Sequence, residues 1–245
     1  HQQIMTAFPI AGHARAMLTD WRLERDTRAL YPGGTIDIVA VESFIEQPYQ
    51  AEHDITWRRL LSRLDDNNLD MLVANINPQQ LSDNQLVALA EQTRLTSLYE
   101  LLITRLNQAT TTTSAVYRSI QAMPETLGID DANQLLMSVI PASPYAAGAL
   151  HSLARQETVD PDTRDHFMGL LANPRLGGDA AIALAKHMDN ATVSQLKQHL
   201  ESDNKFLQRR SLLSLKQSNL AYAQEVLDAY QRRHPQLQFV QEISQ

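Results

Sequence analysis

Metal binding and acid–base catalysis are the chemistries that eight histidines and 28 carboxylates could support, and the tightest grouping of the two is Asp162, Asp165 and His166. On a helix, neighbours such as Asp165 and His166 diverge by about 100°, whereas a helical metal site needs ligands four residues apart. Acidic side chains in a first helical turn answer the positive end of the helix dipole, so this group reads as surface structure. His187 and His199 stand near the C-terminal ends of expected helices, where a cation is favoured for the same reason. His13, His53, His151 and His234 have no partner at a ligand or triad spacing. The sequence holds no nucleophile elbow, phosphate loop or dinucleotide fingerprint. Gly33-Gly34 and Gly177-Gly178 read as glycines of a turn and of a helix start. No catalytic residue, no metal and no cofactor is therefore expected.

Two other patterns invite function and have a plainer reading. Asn190-Ala191-Thr192 fits a glycosylation sequon, but it falls where a helix should begin, so Asn190 is expected as an N-cap. Arg209, Arg210, Arg232 and Arg233, with Lys205 and Lys216, read as the solvated outer face of a last hairpin. The whole chain carries a net charge of −7, divided between 15 basic and 25 acidic residues up to 203 and six basic and three acidic residues beyond. That balance argues against a nucleic-acid partner, since phosphate binding needs a basic face. Cysteine is absent, which excludes disulfides and thiolate metal sites. No apolar run approaches the roughly 20 residues that cross a bilayer, and no membrane insertion is expected. The start at His1-Gln2-Gln3, with only four lysines among 21 basic residues, suggests a processed or cut chain in a bacterial periplasm or outside the cell. The cytoplasm is the alternative.

The elements that would position any site are helices. Leu, Ala, Gln and Arg are plentiful, glycine and aromatic residues are few, and the chain should be mostly α. Residues 1–55 form a less regular N-terminal region. There Ala14, Met17, Leu18 and Trp21 make a helical stripe in Ala11–Leu30 that ends at Pro32-Gly33-Gly34. Thr35–Ile45 fits either a strand or a helix capped by Thr35, and Pro48–Asp54 reads as a loop. From 56 to 245 the pattern becomes one of helical hairpins. Thr56 is expected to cap the first, and Ser82 and Gln85 have the spacing of a capping box. Later helices are expected at Thr96–Gln108, Ser114–Met123, Asp130–Ile140, Pro144–Gln156, Asp162–Ala172, Gly178–Met188, Ala191–Glu201, Lys205–Gln217 and Asn219–Arg233. Prolines 124, 141, 144, 161 and 174 fall between them.

The segments Ala146–Arg155 (AAGALHSLAR), Asp179–Met188 (DAAIALAKHM) and Gln208–Gln217 (QRRSLLSLKQ), each followed by a second amphipathic helix, resemble HEAT-like repeats of the short bacterial kind. That resemblance implies an α-solenoid of stacked hairpins, with an irregular helical bundle as the alternative. In such a stack Leu150, Leu153, Leu184, Met188, Leu196, Leu200, Leu213 and Leu227 should be buried. The resemblance further implies a non-catalytic scaffold that binds a protein or peptide along its second helices, where Gln134, Gln195, Gln198, Gln224 and Asp228 should face outward. The other function class is an enzyme or small-ligand protein with its site where residues 1–55 meet the repeats.

Overall fold

Short polar side chains set where many of the helices begin. Asp37, Asp65, Asp160 and Asp189 each accept a hydrogen bond from the backbone N–H three residues on, Asn204 accepts from Phe206 and Leu207, and Ser82 closes a capping box with Gln85. Each such cap satisfies a donor that the first helical turn leaves without an intrahelical partner. The computed structural model describes residues 10–48 and 50–234, and within them the chain forms fourteen α-helices and no strand. They are α1 (Ile10–Leu30), α2 (Ile38–Ile45), α3 (Ala51–Leu61), α4 (Asp66–Asn75), α5 (Asp83–Thr93), α6 (Thr96–Gln108) and α7 (Ser114–Leu127). Then follow α8 (Ile129–Met137), α9 (Ala146–Arg155), α10 (Pro161–Leu170), α11 (Gly177–Lys186), α12 (Asn190–His199), α13 (Lys205–Gln217) and α14 (Ala221–Arg233). The protein is all-helical over this span.

The chain separates into two compact units, His1–Leu102 and Ile103–Gln245, whereas the sequence reading divides it after residue 55. Trp57 explains the difference. Its ring is fully buried in α3 and its indole N–H donates to the carbonyl of Gln85 at 3.0 Å. The helix that opens the regular pattern thus shares a core with α5 while also packing on α1.

In the first unit the ambiguous stretch Thr35–Ile45 resolves into extended backbone at Thr35 and Asp37 followed by α2. The N–H of Ile36 donates to Asn68 Oδ1 at 3.0 Å, Asp37 takes the capping place expected of Thr35, and Val41 and Phe44 bury one helical face. The loop expected over Pro48–Asp54 is shorter than that, because α3 begins at Ala51 with Glu52 and Asp54 in its first turn. Thr56 lies buried within α3 instead of capping it.

In the second unit α7, α9, α11 and α13 pack in sequence, each against the next. Small residues make that row close. The Oγ of Ser214 in α13 donates to Ala181 O of α11 at 2.9 Å, and the Oγ of Ser152 in α9 reaches Gln121 O of α7 at 3.5 Å. The alternating helices fill in beside the row: α8 against α7, α9 and α10, α10 against α11, α12 against α13 and α14, and α14 against α13. A second device recurs along the unit. Arg175, just ahead of α11, donates to the carbonyls of Pro141 and Ser143 in the loop leading into α9. Arg210, in α13, donates to Leu171, Asn173 and Pro174 in the loop leading into α11.

Leu150, Leu153, Leu184, Leu196, Leu200 and Leu227 are buried as expected. Met188 and Leu213 are only half-buried. Met188 lies in the turn after α11, and the buried face of α13 is set by Ser211, Leu212, Ser214 and Leu215, one residue out of register with Leu213. Two boundaries differ by similar margins. Pro124 lies inside the last turn of α7, which ends at Gly128 with φ of 91°, and Asp189, not Asn190, caps α12.

Gly177 is the tightest point in the Arg210 clasp. A Cβ added there would overlap Leu171 O and the Arg210 guanidinium, whereas one added at Gly178 would meet nothing within 4 Å. Gly177→Ala should destabilise the protein by about 1–3 kcal/mol through overpacking. Gly178→Ala should stabilise it by about 0.4–1 kcal/mol. Paired urea melts check the opposite signs; equal effects would show that the clasp does not need a glycine.

Candidate functional site

A concavity follows from the spacing of the first-row helices in the second unit. Where α7, α9 and α11 lie side by side, they leave a groove of about 580 Å³. Its floor is apolar, with Leu150 and Ala154 from α9 and Ala183 from α11. Its rim is polar, with His151, Arg155, Asp179 and Lys186. One end is closed by Tyr117 of α7. Gly148 permits this: a Cβ there would stand 2.7 Å from Tyr117 Cε2, and the ring would have to shift.

Lys186 fixes the other end. Its ammonium donates to the carbonyls of Ala154, Arg155 and Gln156 at 3.0, 3.3 and 2.9 Å. These are the carbonyls left open at the C-terminus of α9, where a positive charge meets the negative end of the helix dipole. Beside it, His187 Nε2 stands 3.1 Å from Ala154 O, and its ring stacks on Phe167 with centroids 6.5 Å apart. Burial holds the His187 imidazole below the ordinary histidine value; the bond to Ala154 opposes that shift, and the charges of Lys186 and Arg164 add to it. The ring is then neutral at pH 7 and donates Nε2–H to the carbonyl.

A second groove of about 510 Å³ lies along α11, lined by Ile182, Ala185, Lys186, Met188 and residues Gln217–Leu220 of the turn after α13. Ile182 and Lys186 border both grooves, and Ile182, at 54% exposure, forms the ridge between them. The arrangement offers an apolar trough with hydrogen-bonding and charged groups along its edges.

The sequence-derived residues lie elsewhere. Gln134 on α8 and Gln195 and Gln198 on α12 are exposed, as is Asp228 on α14, but none of them lines either groove. Gln224 is half-buried. Its amide donates to Leu215 O at 3.1 Å and Ser218 O at 2.8 Å, which closes the turn from α13 to α14. Among the described residues no cluster of three or more metal-ligating side chains occurs. Asp162 and Asp165 are exposed on α10, and burial holds the His166 imidazole below its ordinary value. The cap of that helix is Asp160. Burial pushes its carboxyl up, but bonds from Thr163 and Asn133 and the charge of Arg164 bring it below the ordinary carboxylate value. The groove has a sequence signal that periodicity along the second helices missed. Ala180-Ala181-Ile182-Ala183-Leu184 is apolar on every face of α11, as expected of a helix with contacts on more than one side.

The chain matches no family model, no curated protein and no solved structure. The HEAT-like resemblance therefore rests on the three quoted segments. Among the described residues no helix is long and apolar enough to cross a membrane.

The buried histidines give the unit a pH dependence of definite sign. His166, His187 and His199 all hold lowered pKa values through burial. On acidification the unfolded chain binds protons first, so their contribution to stability is present above the ordinary histidine value and is lost as pH falls through the folded-state values. Melting temperature should drop between about pH 7 and about pH 5. His187→Gln, which can still donate to Ala154 O but does not titrate, should flatten that drop. A profile identical to the parent's would show that His187 titrates as if unfolded.

Proposed function

We propose that this protein is a non-catalytic helical-repeat binder whose second unit is a short α-solenoid of the HEAT-like kind, and that it holds a segment of a protein partner in the groove between α7, α9 and α11. The observation that carries this reading is the groove itself. An exposed aliphatic ridge, Ile182, stands over a trough floored by Leu150, Ala154 and Ala183, a composition that gains more from covering apolar surface than from solvation. The successive packing of the first-row helices and the repeated clasps of Arg175 and Arg210 onto the preceding loops support the solenoid, since each hairpin is fixed chiefly by its neighbours.

The rim narrows the partner's chemistry. Arg155 and Lys186 outnumber the one carboxylate, Asp179, so the fitting segment carries an aliphatic or aromatic anchor flanked by an acidic residue. The glutamine-bearing faces of the second helices form a second reading, favoured by the exposure of Gln134, Gln195 and Gln198. They offer hydrogen bonds without an apolar trough.

Peptides selected from a random displayed library against the whole chain separate the two. Ile182→Asp, at an exposed position, should weaken the selected peptides by at least about tenfold, or about 1.4 kcal/mol, with little change in melting temperature. Gln195→Glu with Gln198→Glu should leave them unaffected. The reverse pattern would move the site to the second helices, and the absence of any peptide lost on Ile182→Asp would reject the groove.

A further inference from the structure

Among the described residues, the N-terminal half of α1 carries an exposed apolar stripe. Every residue from Gly12 to Arg22 is exposed, and Met17, Leu18 and Trp21 leave 73%, 57% and 60% of their surface to solvent. Helices of about 12–15 residues or fewer are marginal in water without packing, and adjoining large apolar side chains on a surface mark an interaction site. The rest of α1 is held well. Leu23, Thr27 and Leu30 are buried, Glu24 pairs with Arg63, and Asp20 pairs with Arg59. At about 100° per residue, the stripe Ala14, Met17, Leu18 and Trp21 points about 160° away from that buried face. The packing that holds the lower half of α1 therefore leaves the stripe facing outward.

We propose that this stripe is a self-association surface, on which the α1 helices of two copies of the chain pack in parallel as a short coiled coil. Two features select this occupant. Ala14, Met17 and Trp21 follow the spacing of three then four that defines the seam positions of a coiled coil. In that register Asp20 and Arg25 fall on the two flanks of the seam, five residues apart, where a parallel pair sets Asp20 of one copy against Arg25 of the other. An antiparallel pair would bring each flank against its own kind. Both groups stay accessible: Asp20 is 67% exposed beside Arg59, and Arg25, which is bonded to Asp26 and lies over the Trp21 ring at 5.5 Å, is 59% exposed. The contact is isologous and closes at two copies. Three turns of helix cover far less than the roughly 800 Å² per partner of a standard interface, so the dimer is weak and forms at high protein concentration.

Sedimentation equilibrium of the full chain up to about 500 µM tests this. The mass should rise from 27.6 kDa toward twice that value, and Met17→Glu with Trp21→Glu should hold it at the monomer while helical circular dichroism is retained. Orientation is read separately. The chain has no cysteine, so Ala14→Cys introduces a single thiol that meets its own copy across a parallel seam and should cross-link on mild oxidation. Thr19→Cys, on another face, should not. A monomer at every concentration, a dimer that survives the double substitution, or a dimer in which Ala14→Cys fails to cross-link would each overturn the proposal. So would a chain that stays monomeric but binds anionic vesicles through Met17 and Trp21, which would assign the stripe to a lipid surface.

Discussion

Close approach of consecutive first-row helices is the constraint on which the second unit depends. Where Gly148 and Ser152 meet α7 and Ser214 meets Ala181, the backbones come near enough for serine hydroxyls to reach carbonyls of the preceding first-row helix. That approach brings carbonyl groups of one hairpin within reach of cations on the next. Lys186 caps the end of α9, while Arg175 and Arg210 clasp the loops that lead into α9 and α11. Each is a charge-assisted bond to backbone carbonyls, and such bonds fix register along with adding stability. The groove is a by-product of the same spacing: helices close enough to share small residues on their inner sides leave a trough between their outer sides.

The first unit is built on a different balance. Trp57 gives it a large buried ring with a satisfied N–H, and Glu24, bonded to Arg63 and Arg28, has its carboxyl lowered to about 2. Asn68 joins parts distant in sequence, since it caps nothing itself but accepts from Ile36 and donates to Asp65. Burial and polar bonds thus hold the lower half of α1, and its upper half exposes Met17, Leu18 and Trp21.

Much of the helical layout was legible because it is written in local chemistry. Ser82 with Gln85, the Lys205–Gln217 helix and the leucines of α9 and α11 obey caps and 3.6-residue periodicity. What failed to read depended on tertiary contacts. Thr35–Ile45 has the β-branched composition of a strand, and its helix is decided by Asp37 and by the burial of Val41 and Phe44. The groove was missed because it lies across three helices that are 30 residues apart, and because Tyr117 and Gly148 signal each other only in space. Gln224 was legible as polar and outward, but its bonds to Leu215 and Ser218 carbonyls depend on the turn it closes.

The proposal that a partner occupies the outer side of the first-row helices is tested most directly by amide hydrogen exchange of the whole chain, with and without a saturating selected peptide. Slower exchange over Ala146–Arg155 and Gly177–Lys186, the helices that form most of the groove, is the expected result. Protection confined to Ile129–Met137 and Asn190–His199, the second helices, would contradict it.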